Sequence, residues 1–335
     1  MLPTVRRVLL VAGGLVTLAF AEEPPTFGPF GAECQVAFAP DGQALAVTTR
    51  GGSAALVARD DGRRLRRFRG ERDESESAVA FSPDGARLAL ATLEGIVRVF
   101  DVATGEPLAT LAHGGPVRSL AFTADGARLL TGGGRPSRAE DPDELDPEGP
   151  TARVWDATTG APLLDLDATT GNAASAVAAS PVAASIVAVA RDDGTLSLRD
   201  LAAETARDVD LGGPSRAVAF SPDGALVAAA GGRGGAEVTL VSVSSGEVVR
   251  TLGRRAEPAP GGAVAFSPDG RMLARLAPGA EEVRLFDVAT GAPRGVLAVR
   301  PAASLAPSPL GDVLAVGLRA GKVVLLPWAA EPEGR

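Results

Sequence analysis

Side chains able to do chemistry are few in this chain and far apart. In 335 residues there is one histidine, His113, and one cysteine, Cys34. His113 stands in Leu111-Ala112-His113-Gly114-Gly115-Pro116-Val117. As a general base or ligand it would need an orienting partner and a nucleophile, so a buried structural histidine is the competing reading. A single cysteine can form neither an intrachain disulfide nor a cysteine zinc site. Cys34 has no activating His or basic cluster nearby in sequence and reads as a small buried apolar residue.

The carboxylates are concentrated in one stretch, 135–150, where Glu140, Asp141, Asp143, Glu144, Asp146 and Glu148 stand among prolines. Hard cations want clustered oxygen ligands, which makes Asp141, Asp143, Glu144 and Asp146 candidates for Ca²⁺. Their spacing is not that of an EF-hand. The competing reading is a solvated, proline-stiffened loop whose six carboxylates contact a partner. Arg63, Arg64, Arg66, Arg67, Arg69 and Arg72 form the opposite cluster. They read as edge-strand charges that block sheet-to-sheet pairing, or as a patch for an anionic partner or membrane surface. Gly231-Gly232-Arg233-Gly234-Gly235 joins two strands with no helix after it, so it reads as a loop and not as a phosphate cradle. No cofactor is expected.

These residues must be positioned by a repeat. Val79-Ala80-Phe81-Ser82-Pro83-Asp84-Gly85 recurs closely as Val218 to Gly224 and Val264 to Gly270, and with small changes as Val36 to Gly42 and Leu120 to Gly126. Degenerate copies start at Val177 and Leu305. Phe38, Phe81, Phe122, Ala179, Phe220, Phe266 and Pro307 are equivalent positions, separated by 41 to 57 residues, and the longest spacing contains 135–150. Each copy begins with a period-two strand whose middle residue is always Ala, small enough for closely approaching sheets. Pro-Asp-Gly then makes a tight turn: Pro fixes φ, Asp bonds nearby backbone and Gly accepts positive φ. A second strand follows, as in Arg87 to Ala91. A third is β-branched and aromatic, as in Ile96 to Phe100. A turn such as Asp101 to Gly105 leads to a fourth, which carries the spaced apolar pairs Leu65/Phe68, Leu108/Leu111 and Val249/Leu252. Four short strands repeated seven times predict an all-β, seven-bladed β-propeller of four-stranded antiparallel blades. The last copy ends after its third strand, so Thr26-Phe27-Gly28-Pro29-Phe30 is expected to supply the missing one and close the ring.

Hydrophobic residues are 45% and charged residues 22% of the chain, enough apolar surface for a core. The formal net charge is −8, which argues against nucleic-acid binding. Residues 1–21 read as a signal peptide: Arg6-Arg7, an apolar run from Val8 to Phe20 too short for a confident span, and Ala19-Phe20-Ala21 as cleavage site. The expected organisation is a leader over 1–21, a closing segment over 22–31, a propeller over 32–328 with the insertion 135–150, and a polar tail over 329–335. The mature chain is expected in the periplasm or outside the cell, without a transmembrane span.

The chain resembles the WD40-repeat β-propellers. Trp155-Asp156 carries the signature dipeptide, with Phe100-Asp101 and Phe286-Asp287 as variants. The resemblance implies a structural hydrogen-bonded tetrad in blade three from His113, Thr131 and Trp155, with its Asp drawn from the inserted loop. It also implies a rigid, monomeric platform for protein partners without catalysis. The alternative is a propeller enzyme, lactonase-like or another hydrolase, with a carboxylate-lined central channel. Three or more converging carboxylates there would favour the enzyme.

Overall fold

The structure, a computed structural model, describes residues 24–30, 33–49, 53–71, 75–134, 151–166, 173–231, 236–254, 262–277 and 281–328, and the backbone of 7–12 and 15–20. Among the described residues every regular element is a strand. Seven four-stranded antiparallel blades form; six pair in chain order or its reverse, the seventh takes its outer strand from near the N-terminus, and two further strands extend the sheet of blade six. Blade one is Val36–Phe38, Ala44–Thr49, Ser53–Ala58 and Arg64–Phe68. Blade three is Val117–Phe122, Arg128–Gly133, Ala152–Asp156 and Pro162–Asp165. The first strand of each blade touches the first strand of the next, and that of blade seven touches that of blade one, so these strands form a closed inner ring.

The recurring Val-Ala-Phe strand explains how blades stack. Phe81, Phe122, Phe220 and Phe266 each pack toward the preceding blade, whereas the intervening Ala80 and Ala219 pack toward the following one. The second strand obeys the same rule: Leu88 and Leu90 face blade one, and Ala89 and Ala91 face blade three. Large side chains from one sheet thus meet small ones from its neighbour, as close packing of two pleated faces requires. The result is one apolar cluster at each of the seven blade junctions. The outer strands depart from the apolar-pair reading. Phe68, Leu111 and Leu252 are buried, while Leu65, Leu108 and Val249 are exposed. Leu65, Leu108 and Val249 are each the extra residue where the register with the third strand shifts, so they leave the pleat while their partners stay in the core.

The Ser-Pro-Asp-Gly turn holds more than its conformational preferences suggest. Ser82 Oγ donates to Asp84 Oδ1 at 2.5 Å and accepts from Arg87 N at 2.9 Å, while Asp84 Oδ1 also accepts from Ala86 N at 3.0 Å. The same three bonds recur around Thr123, Ser221 and Ser267. The hydroxyl bond, then the backbone N–H, holds the Asp84, Asp125 and Asp223 carboxyls below the ordinary aspartate value. Gly85 closes the turn at φ 72°, a conformation that suits glycine.

Blade seven is Ala302–Pro307, Val313–Leu318, Val323–Pro327 and, as its outer strand, Thr26–Phe27. Thr26 and Phe27 pair antiparallel with Val324 and Val323. The Phe27 ring is buried in the cluster between blades seven and one, against Gly62, where a Cβ would collide with it. Residues Arg7–Ala12 and Leu15–Phe20 form an antiparallel hairpin, and the second of these strands runs parallel to the outer strand of blade six, Pro293–Ala298.

Candidate functional site

His113 begins the connection from blade two to the first strand of blade three; its N–H donates to Gly95 O at 2.9 Å. Thr131 lies on the second strand and Trp155 on the third. Antiparallel pairing brings their side chains together beside His113. Trp155 Nε1 donates to Thr131 Oγ1 at 2.9 Å, and Thr131 Oγ1 lies 2.9 Å from His113 Nδ1. With its hydroxyl accepting from Trp155, Thr131 donates to His113 Nδ1, which leaves the neutral ring's proton on Nε2. All three side chains are buried; His113 is 1% exposed and cannot meet a substrate. Among the described residues His113 Nε2 has no hydrogen-bond partner.

A second layer covers this chain of bonds. The Arg153 guanidinium lies 5.1 Å from the Trp155 ring centroid, a cation–π contact, and its Nε donates to Asp165 Oδ1 at 2.5 Å. Burial, then the Arg153 charge, lowers the His113 pKa to about 4, against the opposing pull of Asp165 and the Thr151 backbone. Folding therefore excludes a proton that the unfolded imidazole would bind below about pH 6.5. Stability should be complete above that pH, fall by about 3 kcal/mol as pH drops toward 4, and then level off as far as His113 is concerned. Urea midpoints measured from pH 7.5 to 4, with His113→Asn as comparison, check this. An unchanged pH dependence in His113→Asn would sink it.

The insertion leaves the fold beside this network. Gly134 N donates to Pro116 O and Gly133 N to Thr151 O, both at 2.8 Å. Thr151 Oγ1 accepts from Ala174 N of blade four at 3.1 Å. Both feet of 135–150 are thus fixed, on the face that also carries His113. The partner-contact and Ca²⁺ candidates Glu140, Asp141, Asp143, Glu144, Asp146 and Glu148 lie outside the described residues, as do Arg72 and 232–235. Among the described residues no three His, Cys, Asp or Glu side chains converge as a metal cluster. Cys34 is buried, and its carbonyl accepts from Ser304 Oγ at 2.9 Å.

Sequence reasoning missed three arrangements. The Ser or Thr two residues before Asp84, Asp125, Asp223 and Asp269 was a readable signal, since it recurs in register. Arg153 and Asp165 gave none, because they meet only through strand pairing. The third is a latch between blades. Arg66 Nη1 donates to Thr104 O of the next blade at 2.6 Å, as Arg207 Nη1 does to Ser244 O at 2.7 Å and Arg250 Nη1 to Thr290 O at 3.0 Å. One arginine of the basic cluster therefore joins blades in addition to guarding an edge. Such polar links also supplement packing in blades that lack the His and Trp.

Residues 105–137 match the family described as WD domain, G-beta repeat. That stretch spans the outer strand of blade two, His113 and the first two strands of blade three. No curated protein matches the chain. Seven four-stranded blades in one ring, with a repeat in register through all of them, make this chain a seven-bladed β-propeller that is similar at blade three to the WD domain, G-beta repeat.

Proposed function

We propose that this chain is an exported, non-enzymatic propeller that binds a protein partner through the face from which 135–150 projects. One observation carries the reading: the longest departure from the repeat is rooted beside a buried chain of side-chain hydrogen bonds. Both of its feet are tied by backbone hydrogen bonds next to the His113–Thr131–Trp155 chain. A rigid base lowers the ordering cost of binding. Six carboxylates on the loop favour a basic partner. Export rests on the composition of residues 1–21, and the mature chain then begins at Glu22 without the Arg7–Phe20 hairpin; N-terminal mass spectrometry of envelope protein reads this directly.

Replacing 135–150 with a short Gly-Ser turn should change stability by less than about 1 kcal/mol, because closure entropy depends weakly on loop length. It should abolish salt-sensitive co-purification of a basic protein from the envelope fraction. Two results would count against the reading: a replacement that unfolds blade three, or a partner retained equally well without the loop.

A further inference from the structure

The basic outer strand of blade one, Arg64–Phe68, uses its two faces differently. One face turns to blade two, where Arg66 makes its latch and Phe68 packs against Phe100 with ring centroids 5.6 Å apart. The other face turns to the ring-closing segment, and a bulge at Leu65 puts Arg64, paired with Val57, on this face together with Arg67. There Arg64 and Arg67 line a cavity of about 240 Å³ whose other described walls are Phe30, Thr49 and Ala55. Arg67 stands opposite Ala55 in the strand register, which fixes it over that wall. Phe30 is fixed from the other side, its N–H donating to Gly321 O at 2.7 Å.

Among the described residues, three donor groups in this cavity lack a protein acceptor. Among the described residues neither the Arg64 nor the Arg67 guanidinium has an ion-pair or hydrogen-bond partner. The neighbouring Arg63 and Arg66 do, in Asp61 and in the Thr104 carbonyl. The Thr49 hydroxyl is buried and also lacks a partner among the described residues. Among the described residues no carboxylate lines the cavity. Arg64 and Arg67 are exposed, as edge protection requires, but edge protection gives no account of the buried, unsatisfied hydroxyl in the same cavity.

We propose that this cavity is a phosphate site, taking a phosphate monoester on a small apolar body. Two guanidinium forks and a hydroxyl approach from different elements. A tetrahedral dianion can accept from all three at once, whereas a planar carboxylate fills one fork. Phe30 offers an apolar wall for the group that carries the phosphate. The volume holds a phosphate and a small ring, not an extended polymer. The bound ligand bridges blade one and the segment that completes blade seven, so binding tightens ring closure.

Isothermal titration of the full chain with phenyl phosphate, at constant ionic strength set with chloride, tests the site. Saturable binding is expected. Arg64→Ala/Arg67→Ala should weaken it about tenfold or more, and Thr49→Val about threefold. Arg63→Ala/Arg69→Ala carries the same charge change and should stay within about twofold. Flotation with phosphatidic acid against phosphatidylcholine vesicles separates the sources. Arg64- and Arg67-dependent flotation assigns a lipid headgroup, and saturation by soluble phosphate monoester without flotation assigns a free ligand. The proposal is overturned by absence of saturable binding, by binding that survives Arg64→Ala/Arg67→Ala, or by equal losses in both double variants. Arg64 and Arg67 are exposed, so a thermal melt matching the parent shows the variants folded.

Discussion

Removal of residues 22–31 should lower the melting temperature by several degrees and loosen blade seven before the rest of the ring. The segment contributes an outer strand that the C-terminal end does not supply, since Val323–Pro327 is followed only by Trp328 among the described residues. Phe27 is 8% exposed and lies between blades seven and one, so Phe27→Ala alone should cost about 3–5 kcal/mol. The deletion also removes the bonds from Leu325 N to Pro25 O and from Phe30 N to Gly321 O, each about 1 kcal/mol net. Its effect should exceed that of the point variant. The Arg59–Asp312 ion pair also joins blades one and seven, but it is partly exposed and cannot replace a buried ring. Calorimetry gives the total, and amide exchange over Val323–Pro327 locates the loss. A deletion that melts with the parent and keeps those amides protected would show that the segment does not close the ring.

The fold was legible because its unit is short and repeated. A single Val-Ala-Phe run is ambiguous between a strand and a piece of buried helix, but seven in register with a turn at a fixed offset are not. The turn read correctly as a turn, while its hydroxyl did not, because Ser82 acts through Asp84 and the Arg87 backbone together. The direction of stacking, Phe backward and Ala forward around the ring, could not be read either, because period two assigns residues to opposite faces without saying what each face meets. At the candidate site His113, Thr131 and Trp155 were readable only through the resemblance to WD40 repeats. Arg153 was not, since a charged residue beside an aromatic on a strand reads as solvent-facing until the neighbouring strand brings Asp165 to it. Arg64 and Arg67 were visible as charge, but a cavity between two elements more than thirty residues apart has no sequence signature.

The position of the polar chain explains why it sits in blade three. In blade two a tight turn joins the second and third strands, and Gly95 N donates to Thr92 O across it at 3.2 Å. In blade three residues 135–150 stand in place of that turn, and a side-chain clamp joins the same two strands. Thr131 on one and Trp155 on the other provide it, with His113 as the third member. Thr131→Val tests this with little change in volume. The methyl leaves Trp155 Nε1–H without an acceptor and His113 Nδ1 without a donor, both buried. At about 1–3 kcal/mol for each unsatisfied group, the expected loss is about 2–6 kcal/mol. Thr131→Ser keeps the hydroxyl and should cost far less. Trp155→Phe in the Thr131→Val background should cost less than in the parent, because the orphaned N–H disappears with the indole; this coupling separates a hydrogen-bond clamp from packing alone. Urea unfolding of the four chains yields the cycle. A Thr131→Val chain within about 0.5 kcal/mol of the parent, or strictly additive losses, would mean that packing holds the blade and that the insertion needs no polar brace.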